Sequence, residues 1–406
     1  MLDRKQLPKH LYSLDIVRGL AALVVVLWHW QHLLYTDGVS SSYRLVDQPF
    51  YSAFSIFYNH GWMAVDFFFS LSGFVFFWLY SDSIANKRIG GATFFVVRFS
   101  RLYPLHFVTF VFVLVMQLLL HAKTGSYFVY QNNDVYRAVL NLFLASSWGV
   151  LPGYSFNGPI WSVSVEVLLY FVFFVTCLTF SNKYLVAAAC AVAGIVINEF
   201  LPEVGRGMFS FFVGGLTFWI YSKAATCARA KALTALVAIF ALAVWGCVFI
   251  DYEYSYLTAG LQQLLESVLP GGYSVFIPGL IYRISHLSIF GVVFPFSILA
   301  LALVETLRGG LGKRFAVIGH LSYSSYLLHF PLELVFFVVA LNLGIDREFF
   351  YSKYALLLFG AILIPLCLLS YHYFELPMQR FFRARLTSKW NGPVADNVVS
   401  RVERTL

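Results

Sequence analysis

The chain has 406 residues, of which 60% are hydrophobic and 12% charged, with a mean hydropathy of +0.74 and a formal net charge of +8. Soluble domains carry charge on about a quarter of their residues, so this composition excludes a soluble protein and demands a chain that lies largely in lipid. Five dispersed cysteines, Cys177, Cys190, Cys227, Cys247 and Cys367, lack metal-type spacing and predict neither a zinc site nor a disulfide framework.

Residues 1–13 are polar and charged, and no small-residue cleavage site follows the first apolar run. This pattern predicts a cytoplasmic N-terminal segment followed by a retained first span. Apolar segments of about the 20-residue length that crosses a bilayer run over roughly 14–34, 61–80, 93–120, 160–180, 184–200, 207–222, 232–250, 285–305, 317–342 and 354–374. The expected fold is an all-α polytopic membrane protein of about ten transmembrane helices with both termini cytoplasmic. It comprises a membrane domain over 14–377 and a basic cytoplasmic tail over 378–406. With that orientation the inner connections hold most of the Lys and Arg, and the outer ones hold only Arg44, Lys123, Arg137, Arg206, Arg283, Arg347 and Lys353. The basic excess is therefore chiefly a topology signal, and no nucleic-acid partner is expected. The long outer connections, 121–159 and 251–284, are rich in aromatics that either stack on sugar rings or form an interfacial belt. Within the second, LTAGLQQLLESVLP is amphipathic and is expected to lie along the membrane surface.

Ionisable groups inside the spans are costly and mark functional sites by default. The first span, LDIVRGLAALVVVLWHW, carries Arg18 and His29. Eleven residues of helix set them about 16 Å apart along the axis and near one face. The second span, GWMAVDFFFSLSGFVFFW, places Asp66 near its outer end, with Ser70, Ser72 and Gly73 permitting close helix approach. Asp66 reads either as an acid favoured by its helix N-terminus or as a partner for a base. The third span opens FFVVRFSRLYPLH, with Arg98 and Arg101 on one face below Pro104, which is expected to kink the helix. Two guanidiniums there form either a phosphate site or an ordinary snorkelling pair.

The fourth span, GPIWSVSVEVLLY, brings Glu166 to the same depth as His29 and Asp66. A histidine facing a carboxylate suits general-base catalysis, because the acid fixes the tautomer and stabilises the imidazolium. Trp161 and Ser162, just before Glu166, and Tyr323 of the ninth span are the candidate oxyanion donors. The ninth span, GHLSYSSYLLHFPLELVFF, sets Tyr323, Tyr326 and His329 near mid-membrane. His329 either lines the same cavity or is a buried packing histidine. Glu375, in YHYFELP, either pairs with Arg98 or Arg101 or is a plain boundary carboxylate, the preferred reading. His32, His106, His121 and His372 have no partner that spacing alone identifies.

Taken together, Arg18-x10-His29, GWMAVDFFFSLSGF (61–74), Arg98-x-x-Arg101 with LYP, WSVSVE (161–166), SYSSYLLH (322–329) and FELP (374–377) resemble the acyltransferase type 3 family. Ala64 replaces the family's usual glycine, a change expected to affect packing only. Some members carry a fused esterase-like domain, and this sequence resembles the stand-alone type. The resemblance implies a bacterial inner-membrane enzyme that moves an acyl group, usually acetyl, from cytoplasmic acyl-CoA to a hydroxyl of a surface or lipid-linked glycan, with no metal. It implies a donor-binding role for Arg98 and Arg101, an essential role in transfer for Arg18 and His29, and a partner-carboxylate role for Glu166. A small-molecule acceptor and a proton-coupled transporter stand as alternatives. The transporter reading lacks the paired, broken inverted repeats usual in that class.

Overall fold

The computed structural model describes residues 7–35, 44–269 and 271–387. The expected segment 1–13 is thus described only from Leu7, and the basic tail beyond 387 lies outside the described residues. Every described element is helical, as lipid requires of backbone groups that have no water to bond. In chain order these are α1 (Tyr12–His29), α2 (Tyr51–His60), α3 (Ala64–Leu79), α4 (Ser81–Ala85), α5 (Gly91–Thr124) and α6 (Val135–Leu142). There follow α7 (Trp161–Thr179), α8 (Lys183–Ile197), α9 (Pro202–Ala224), α10 (Ala230–Tyr254), α11 (Tyr256–Val268) and α12 (Ile277–Ser288). The last four are α13 (Phe294–Arg308), α14 (Val317–Leu343), α15 (Lys353–Leu369) and α16 (Leu376–Thr387).

The chain is an all-α polytopic membrane protein. Among the described residues, 8 helical stretches are long and apolar enough to cross a bilayer. Each of the ten expected spans has a helix over it, but α8 has only 15 residues and α9 lies outside the eight. The reason lies in sequence: α9 carries Glu203, Arg206, Lys223 and six buried glycine or serine positions. α5 runs unbroken through Pro104 for 34 residues. α11 has no buried residue, as expected of a helix lying on the surface.

Helix association in lipid depends on close packing rather than on expelling water, and small residues set it here. A Cβ on Gly73 of α3 would overlap the Phe211 carbonyl of α9, and one on Gly214 of α9 would overlap the Ser70 carbonyl of α3. The two backbones therefore touch. α1 and α14 approach in the same way: a Cβ on Gly319 would stand 2.6 Å from the Asp15 carbonyl oxygen, and one on Gly19 would meet Ile318. Their contacts step forward together, Asp15 with Gly319, Arg18 with Ser322, His29 with His329 and His32 with Glu333. The two helices are thus parallel neighbours in fixed register. The start of α1 is secured by Glu305 of α13, a buried carboxylate that accepts the Tyr12 and Ser13 backbone N–H groups at 2.9 and 2.8 Å. These are donors that a helix N-terminus leaves unbonded.

Candidate functional site

α1, α3, α5, α7 and α14 enclose a cavity of about 110 Å3. Arg18 enters from α1, Arg98 and Arg101 from α5, Glu166 and Tyr170 from α7, Ser322, Tyr323 and Tyr326 from α14, and a mostly apolar wall from α3. The spacing of Arg98 and Arg101 puts both on the cavity side of α5, and the α1–α14 contact places Arg18 opposite. Arg18 donates through Nε to Ser322 Oγ (3.2 Å) and through Nη2 to the Gly319 carbonyl (3.2 Å), and it pairs with Asp15 at 3.1 Å. Arg98 is buried. Its Nη2 donates to the Tyr170 hydroxyl at 3.1 Å, and its guanidinium carbon lies 4.2 Å from the centre of the Phe76 ring. Its Nε and Nη1 have no hydrogen-bond partner among the described residues. A buried guanidinium with two unused donors is costly, and it is prepared for an anion that accepts from a planar fork.

Glu166 accepts from Ser72 Oγ at 2.7 Å on this same wall. It does not contact His29, which the depth count had set opposite it. Depth along the membrane fixes a level and not a direction around the helix, and Glu166 points to the arginines. Ser162 and the Tyr326 hydroxyl lie 2.6 Å apart, and Tyr326 also donates to the Pro159 carbonyl at 2.7 Å. Tyr323 donates to the Leu102 carbonyl. Trp161 lies off the cavity, 6.1 Å from the Phe69 ring.

His29 stands beyond Tyr326, buried and turned away from lipid. Its Nδ1 faces the Val25 carbonyl at 2.9 Å. A carbonyl only accepts, so Nδ1 carries the hydrogen and Nε2 keeps its lone pair. His329 repeats this arrangement, donating Nδ1–H to the Ser325 carbonyl at 3.0 Å and leaving Nε2 without a partner. The His29 ring centre lies 4.8 Å from that of His329 and 4.7 Å from that of His32. His32 Nδ1 in turn meets Glu333 Oε2 at 3.1 Å. The carboxylate beside this histidine group is Glu333, four residues after His329 on α14. Tyr326 lines the cavity and its ring lies 5.9 Å from that of His329, whereas neither His29 nor His329 lines it, so the cavity that holds Arg98 does not itself extend to His29.

Two further expected groups are committed elsewhere. Asp66 is fully buried and bound by Arg206 of α9, Nη2 to Oδ2 at 2.5 Å, with Arg206 lying over Trp62 and Trp161. Glu375 makes no ion pair with Arg98 or Arg101. It sits in the π-helical turn Ser370–Glu375 and accepts from Ser324 Oγ (2.5 Å) and Ser370 Oγ (2.9 Å).

A model of the acyltransferase domain of the type 3 family matches residues 11–371, nearly the whole described chain. The chain belongs to the acyltransferase type 3 family. Acyltransferase MdmB of Streptomyces mycarofaciens is 32% identical over 164 residues, which are 40% of this chain and 38% of that protein. Protein 2 in the picA locus of Rhizobium radiobacter is 33% identical over 99 residues, 24% of this chain and 41% of that protein. The chain spans about two fifths of the length of each of these curated relatives. No solved structure matches it.

In this member of the type 3 family, three polar groups escaped sequence reasoning. Glu333 sits in the run FPLELVFF and was available as an intramembrane acid one helical turn past His329. His32 follows His29 by three residues, a spacing that shares a face. Arg206, assigned from sequence to an outer connection, is the cation of a buried pair.

Proposed function

We propose that the chain is a membrane O-acyltransferase that moves a short acyl group, acetyl in the simplest case, from cytoplasmic acyl-CoA to a hydroxyl of a surface or lipid-linked glycan at the bacterial inner membrane. The observation that carries this reading is the arginine cavity, and above all the two unpartnered donors of buried Arg98. Phosphate groups on a long, flexible carrier meet a planar fork well. Arg98 and Arg101 hold the donor's phosphates, and Arg18 guides the thioester arm past Ser322. Glu166 offsets part of the charge of the three guanidiniums.

Transfer then requires Tyr326 to leave Ser162 and Pro159, which opens the way toward His29. The lone pair on His29 Nε2 takes the proton of the acceptor hydroxyl as its oxygen attacks the thioester carbon. Positioned proton transfer of this kind contributes about 10²- to 10⁴-fold. The C–S bond breaks, and the proton passes to the departing thiolate. Ser162, released when Tyr326 moves, is the donor to the developing oxyanion.

The test follows thiol release from acetyl-CoA by purified full-length protein together with O-acyl esters on cell-surface glycans of strains with and without it. The reading expects thiol release and an ester lost with the gene. Thiol release with an unchanged surface would overturn the glycan acceptor, and no thiol release would overturn the donor.

A further inference from the structure

Glu333 has no place in the mechanism above, yet it is the most deeply buried carboxylate near His29. Its exposure is 0%, its Oε1 has no hydrogen-bond partner among the described residues, and its Oε2 meets Nδ1 of His32, itself 3% exposed. A carboxylate in such surroundings is expensive unless a positive charge answers it. Around this group stand Tyr35 after α1, Tyr130 from the connection before α6, and Tyr326 and His329 from α14, with the His32 ring 5.5 Å from Tyr35 and 5.8 Å from Tyr130. None is a Lys or an Arg. The basic groups within reach are the three imidazoles. A cation that arises on one of them during turnover therefore fits Glu333 better than a fixed one.

A clamp that merely fixed α14 against α1 would need only the His32–Glu333 bond. It would not leave Glu333 Oε1 and His329 Nε2 both buried and unused beside it. The tautomers agree: His29 directs its hydrogen to Val25, freeing Nε2 for a proton, while His32 turns Nδ1 to the carboxylate.

We propose that His32 and Glu333 form a positioning dyad for His29, holding its ring and compensating the imidazolium formed when it takes the acceptor's proton. The inference rests on reading His29 as the base. When the O–H bond breaks and the His29 Nε2–H bond forms, His29 gains one positive charge. The Glu333 carboxylate offsets it across His32, whose Nδ1–H stays bonded to Oε2. When the thiolate takes the proton from Nε2, His29 is neutral again, and no net charge remains on the group. Neither dyad member touches the reacting atoms.

The test uses full-length protein in lipid nanodiscs and two readouts. Diethyl pyrocarbonate labelling of His29, followed by mass spectrometry at pH 7, reports the nucleophilicity of its free nitrogen and needs neither donor nor acceptor. Glu333→Gln should slow that labelling about fivefold, since a weaker base is a weaker nucleophile, and Glu333→Asp should return it toward the wild-type rate. His32→Gln keeps a donor for the carboxylate but removes the ring, so a clamp predicts wild-type labelling and the dyad predicts slow labelling. In thiol release from acetyl-CoA, Glu333→Gln should lower kcat about tenfold or more with KM nearly unchanged, because the arginine cavity is untouched. Wild-type labelling of His29 in both Glu333→Gln and His32→Gln overturns the dyad. If Glu333→Gln fails to fold, His32→Gln decides alone. No thiol release by the wild type overturns the donor reading instead and leaves the labelling to judge the dyad.

Discussion

Arg98 and Asp66 show how differently two buried ions are served by their surroundings. The Asp66 carboxylate is bound through two nitrogens of Arg206, so its charge is answered within the protein. Asp66→Asn would leave Arg206 unpaired among Trp62, Trp161 and Phe290 and should cost about 3–5 kcal/mol of stability. Thermal unfolding in detergent would show this as a lowered midpoint, and an unchanged midpoint would remove the pair from the structural account. Arg98 keeps two donors for a ligand, so Arg98→Lys, which has charge without the fork, should weaken CoA-induced stabilisation while leaving the midpoint without CoA close to wild type. His29→Ala should lower turnover of acetyl-CoA by about 10²- to 10⁴-fold with expression intact, and turnover at the wild-type level would remove His29 as base.

At the scale of elements, the parallel contact of α1 and α14 brings Arg18 to one level and His29, His32, His329 and Glu333 to another. The second such contact, between α3 and α9, aligns Asp66 with Arg206, while Ser72 of α3 bonds Glu166 of α7. Gly214→Ala forces a Cβ against the Ser70 carbonyl, and overpacking of this kind costs about 1–3 kcal/mol. The expected outcome is a lower yield of folded protein and a lower unfolding midpoint, with KM for acetyl-CoA unchanged in the fraction that folds. A shifted KM would mean that the α3–α9 contact also shapes the arginine cavity. Much of this level was legible in the sequence. Apolar length marked every long helix, and three-residue spacing put Arg98 and Arg101 on one face. The partners were not legible, because depth along a span says nothing of which neighbour a side chain turns toward. That is why Glu166, expected at the depth of His29, lines the arginine cavity instead, and why His32 finds Glu333 some 300 positions away in the chain.

Across the whole molecule, an arginine-lined cavity and a group of imidazoles lie at two levels of one bundle, with Tyr326 next to both. The motifs from Leu14 to Pro377 brought out the family, and the family model covers nearly the same stretch. The placement of Tyr326 could not be read from motifs, since it depends on a hydroxyl reaching Ser162 and Pro159 from another helix. A proton-coupled transporter would also place acids and histidines in its spans, but it gives no reason for three arginines around a buried cavity. The most direct measurement is the unfolding midpoint of the full-length protein with and without CoA, for the wild type and for Arg98→Ala. The account predicts that CoA raises the wild-type midpoint and leaves that of Arg98→Ala where it was. A wild-type midpoint that CoA does not move, or an equal rise in the variant, would contradict it.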